Sequence, residues 1–70
     1  SMDSSVAVIN GIIDEETHRY PPEEIFRIVD KNVEHLELMI GDRVAELGDS
    51  PDLSSYKATI TAGKTYLEDA

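Results

Sequence analysis

Seven apolar residues, Ile25, Val29, Val33, Leu36, Ile40, Val44 and Leu47, follow one another at spacings of 4, 4, 3, 4, 4 and 3. That rhythm belongs to one face of an α-helix and is incompatible with the two-residue period of a strand. Phe26, Ile28 and Met39 widen the stripe to more than about 100° of arc, the width of a helix that faces a core. Pro22 can occupy the first helical turn, where its missing N–H costs nothing. Glu23 and Glu24 then stand at the positive end of the helix dipole, and Gly48 supplies a stop. The sequence therefore predicts a helix over residues 22–47, about 39 Å long at 1.5 Å per residue. The stripe repeats close to every 11 residues, which argues against a left-handed leucine zipper.

Tyr20-Pro21-Pro22 and Gly48-Asp49-Ser50-Pro51 punctuate the chain and divide it into three segments. The third opens with Ser50 as N-cap and Pro51 at the first helical position. Leu53, Tyr56, Ile60, Gly63 and Leu67 share a face, so a second helix is predicted over 51–69, folded back antiparallel on the long one. Gly63 costs about 1 kcal/mol of helix propensity against alanine, and it permits close helix approach, with the small Ala62 beside it. The first segment, residues 1–20, has two readings. Asp3, Ser4 and Ser5 offer caps, and Val6, Ile9 and Ile13 share a helical face. Against this, Asn10-Gly11 is a strong hairpin turn between Val6–Ile9 and Ile12-Ile13. Helix is preferred, because a lone hairpin that short is marginal. Ser1 ahead of Met2 reads as a residue left by tag removal.

The fold expected is one all-α domain over residues 1–70. It is a helical hairpin or three-helix unit with a long central helix, dimerising into a helical bundle. Length supports the dimer: 70 residues bury only about 60% of the surface their unfolded form exposes. With no cysteine, neither disulfides nor thiolate zinc can help. The long helix also outruns its neighbours. Ile25, Val29, Leu36, Ile40, Arg43, Val44, Tyr56, Ile60 and Gly63 are the expected oligomer interface.

Fifteen acids face six bases, a net charge of −9. Binding to nucleic-acid phosphates or anionic membranes is disfavoured, and no apolar run reaches the length of a membrane span. No signal peptide is readable, which with the absence of cysteine suits a soluble protein of the cytoplasm, or of a host cytoplasm if the protein is viral. A partner with a basic surface is favoured. On the polar side of the long helix, Asp30, Glu34 and Glu37 form an acidic ridge, and Leu38 lies near Gly41 and Ala45 as an exposed apolar contact. These four are the candidate partner-binding residues. Glu23–Arg27 is a favourable i,i+4 pair. Arg43 interrupts the apolar stripe, either snorkelling at the helix end or pairing with Asp14, Glu16, Glu68 or Asp69. Asn32 lies at the stripe's edge.

Motifs for catalysis fail at named positions. His18 and His35 are 17 residues apart and lack His-x3-His or Glu-x-x-His spacing. Gly63-Lys64-Thr65 lacks a glycine five residues earlier, where Ala58 stands, and a preceding strand. No serine sits in Gly-x-Ser-x-Gly. No cofactor, metal or catalytic residue is assigned. The expected function is a non-enzymatic regulatory or adaptor protein acting through protein–protein interaction. Small acidic chains of this composition are common among accessory proteins of phages and mobile elements. The rivals are an acidic inhibitor that mimics nucleic acid in a basic groove, and a structural or assembly subunit of a larger particle.

Overall fold

The computed structural model of the protein describes residues 1–15 and 19–69. Three helices pack on one another: α1 (Met2–Ile13), α2 (Ile25–Leu47) and α3 (Ser54–Glu68). No strand occurs among the described residues. The all-α expectation and the long central helix hold. The boundaries tighten, because each proline-led start forms a short 3₁₀ turn, Pro22–Glu24 before α2 and Pro51–Leu53 before α3. Ser50 caps as expected, its hydroxyl accepting from the Asp52 N–H at 3.2 Å.

The hairpin reading of the first segment is overturned. Asn10-Gly11 lies inside α1, which ends at Ile13 rather than near residue 20. A single face at spacings of 4 and 3, Ser5, Ile9 and Ile12, is buried. A two-residue strand register would have sent alternate residues of this run to solvent. Ser1 is the N-cap, accepting from the Ser4 N–H at 3.2 Å. Past Ile13 the chain turns with Glu15 in the left-handed region at φ 56°. The expectations that fall on Glu16 and His18 lie outside the described residues.

The core comprises Ile9, Ile12, Val29, Val33 and Leu36, with Ile40 and Leu53 buried towards one end. Ile9, Val29 and Leu36 are fully enclosed, each stabilising the fold by about 1.5–3 kcal/mol relative to exposure. Helix directions follow from pairs between the helices. The Tyr56 hydroxyl donates to Asp3 Oδ1 at 2.7 Å, and Gly63 lies against Ile9, so α1 and α3 run the same way. The Phe26 and Tyr66 rings meet at 5.9 Å, while Lys64 pairs with Glu37 at 2.9 Å, so α3 runs back along α2. The centre of that packing is Gly63, where an added Cβ would stand 2.5 Å from Val33 Cγ2. The expected close approach at Gly63 is present, although its neighbour Ala62 faces outward.

Two polar positions are resolved by local bonds. Asn32, half-buried, donates from Nδ2 to the Ile28 carbonyl at 2.8 Å. Thr59, buried, donates to the Ser55 carbonyl at 3.2 Å. Thr59 does not stand out in the apolar pattern, because a small hydroxyl that bonds its own helix can be buried without a partner from elsewhere.

Candidate functional site

At 1.5 Å per residue, the 23 residues of α2 extend about 34 Å, against about 18 Å for the 12 of α1 and about 22 Å for the 15 of α3. The C-terminal end of α2 is where this surplus shows. Ile40 is 7% exposed, Val44 is half-buried, and Leu47, on the same stripe, is 70% exposed. Met39, Arg43 and Leu47 follow one another every four residues along α2, with Asp42 and Glu46 beside them. Met2, the first residue of α1, is carried alongside. Together these six line a shallow open groove of about 390 Å³.

The electrostatics of the groove are mixed. Asp42 and Glu46 are exposed on either side of Arg43, also exposed. The exposure of Arg43 agrees with the snorkelling reading, and the alternative pairing with Asp14, Glu68 or Asp69 is not formed within the described residues. Its charge is felt by Tyr56 nearby. The hydrogen bond to the Asp3 carboxylate pushes the Tyr56 hydroxyl above its ordinary pKa, and Arg43 opposes that shift.

The expected interface residues divide. Val29, Leu36, Ile40 and Gly63 are buried inside the single chain, so these positions are not open to a second copy docking on this fold. The cause is α1, which covers more of the stripe than a hairpin alone could. Ile25, Val44, Tyr56 and Ile60 are half-buried, and Arg43 is exposed. Of the partner-binding candidates, Asp30 and Glu34 are exposed, while Glu37 pairs with Lys64 across to α3. The acidic ridge thus keeps two of its three charges clear. Leu38 is 61% exposed, and nothing lies within 4 Å of a Cβ placed on Gly41. Arg27 pairs with Glu24, three residues earlier, at 2.8 Å rather than with Glu23, the other spacing that brings helical neighbours together.

Two other features are explained by the fold itself. Asp49, Ser50, Pro51, Ser54 and Lys57 surround a second hollow. There Lys57 donates to both Asp49 oxygens, at 2.8 and 3.0 Å, and the Ser50 N–H donates at 2.8 Å. These bonds, led by Lys57, hold the Asp49 carboxyl below the usual range and brace the α2–α3 turn. Phe26, 50% exposed, rests against Tyr66 at the opposite end of α2. Among the described residues no group of three His, Asp or Glu could hold a metal ion, and no helix is long and apolar enough to cross a membrane.

Comparison with protein families, curated proteins and solved structures finds no match for this chain. The functional reading therefore rests on its own surface.

Proposed function

We propose that this protein acts by binding another protein, as a regulatory or adaptor protein, through the end of α2 that its own helices leave uncovered. The observation carrying this reading is Leu47: it continues the stripe that is buried at Val29, Val33, Leu36 and Ile40, yet it is 70% exposed. A leucine in register with a core and open to water is the residue that a second surface can cover. Burying such a side chain contributes about 1.5–3 kcal/mol, and Met39 and Met2 beside it extend the apolar area. A second copy of the chain is the competing occupant, since self-association remains the simplest way to cover an unused stretch of helix.

The test is affinity capture from a lysate of the native source, with wild-type protein and Leu47→Ser in parallel, together with light scattering on the purified protein. A partner held by wild type and lost by Leu47→Ser is the expected result. Capture of nothing by either protein, with a monomer in solution, removes the reading.

A further inference from the structure

We propose that the groove formed by Met2, Met39 and Leu47 receives a basic amphipathic helix of a partner protein. This rests on the protein-binding reading above and names the chemistry of the partner. Both methionines of the chain line this groove, one from α1 and one from α2. Methionine is unbranched and polarizable, so a methionine-lined surface repacks around apolar anchors of differing shape. Leu47 adds a branched anchor at the far end. An amphipathic helix laid in such a groove presents anchors at i, i+3, i+4 and i+7.

The charges around the groove select the sign of that helix. Asp42 and Glu46 line it, and Asp3 stands one residue beyond Met2, in the first turn of α1. The whole chain carries −9, which steers a cationic segment inward and repels an anionic one. A second copy carries the same net charge of −9, which repels at long range, so it is the less complementary occupant. Among the described residues Arg43 is the single base lining the groove. Its aliphatic stem adds apolar area, while its guanidinium opposes a basic partner.

Arg43 therefore separates the two occupants. Against a basic helix, Arg43→Gln tightens binding. Against a second copy, where Arg43 can reach the partner's acids, the same substitution weakens association.

The probe is a labelled peptide of about 18 residues, five helical turns, with leucines on one face and lysines on the other. A matched peptide carries glutamate for lysine. Fluorescence anisotropy reads affinity, and the methyl signals of the two methionines read location. The lysine peptide should bind, shift both methionine signals and weaken with salt. The glutamate peptide should not bind. Leu47→Ser should cost roughly tenfold in affinity, as loss of an anchor does. Asp42→Asn with Glu46→Gln should weaken binding and flatten its salt dependence. Leu47 and Arg43 are exposed, and a thermal melt confirms that each variant is folded.

The proposal is overturned if the lysine peptide fails to bind, leaves both methionine signals in place, or is indifferent to Leu47→Ser. A wild-type dimer that Arg43→Gln dissociates also overturns it, by assigning the groove to a second copy. Capture of a native partner that survives Leu47→Ser overturns this site and the place given to it at the end of α2, and leaves only the broader reading that the protein binds another protein. Failure of both the peptide and the capture removes the two together.

Discussion

Gly63 and Val33 occupy space that only one of them can fill: a Cβ on Gly63 would lie 2.5 Å from Val33 Cγ2, with Ile9 Cγ2 at 3.5 Å and Val29 Cγ1 at 3.8 Å. The glycine is where all three helices draw together. Valine is stiff about χ1, so its methyl cannot swing aside cheaply. Gly63→Ala gains about 1 kcal/mol of helix propensity and meets an overpacking cost of about 1–3 kcal/mol, so it should destabilise. Gly41 in α2 faces open space, so Gly41→Ala should stabilise by up to about 1 kcal/mol. Urea unfolding of both variants checks the contrast. Equal effects at the two glycines would remove the steric account of Gly63.

Gly48 ends α2 with φ 82° and ψ 167°, its N–H donating to the Val44 carbonyl at 2.8 Å. That backbone region is open in practice only to glycine and costs other residues about 1–3 kcal/mol. Gly48→Ala should lose that much in chemical denaturation, although nothing crowds the position. An unchanged midpoint would show that the turn relaxes into another conformation.

Leu36 and Leu38 are two residues apart on α2 and face opposite ways: Leu36 is fully buried and Leu38 is 61% exposed. Leu36→Ala should cost about 2–5 kcal/mol, enough to unfold much of the population of so small a domain. Leu38→Ala should stay within about 0.5 kcal/mol. Circular dichroism at 222 nm, read through a urea titration, separates them. A Leu38→Ala loss as large as the Leu36→Ala loss would show Leu38 to be covered.

Tyr56 and Asp3 bind α3 to the start of α1. The neutral phenol donates to the carboxylate, so the folded protein holds the Tyr56 pKa above its ordinary value of 10.0. Stability from this bond is fully present below the unfolded pKa and is lost as pH rises through the folded one. The expected loss is therefore alkaline, beginning above about pH 10. Phenolate absorbance should show the Tyr56 midpoint falling in Asp3→Ala. A midpoint that does not move would disconnect the shift from Asp3.

The positions of the helices were legible in local pattern: the 4-4-3 apolar rhythm, proline at the two starts, Ser50 as a cap and Gly48 as a stop. These signals act through nearest neighbours along the chain, so sequence carries them whole. The first segment was harder, because Asn10-Gly11 is locally a good turn and only burial of Ile9 and Ile12 against α2 and α3 overrides it. The division of the long stripe was not legible. Periodicity assigns Val29, Leu36 and Leu47 to the same face, and it does not know where α1 and α3 end. Tertiary structure decided that Val29 and Leu36 belong to the chain's own core, that Glu37 is engaged by Lys64, and that Leu47 is open. The physical reason is that burial depends on residues distant in sequence, whose helices have finite length, whereas helix formation depends on residues within a turn or two.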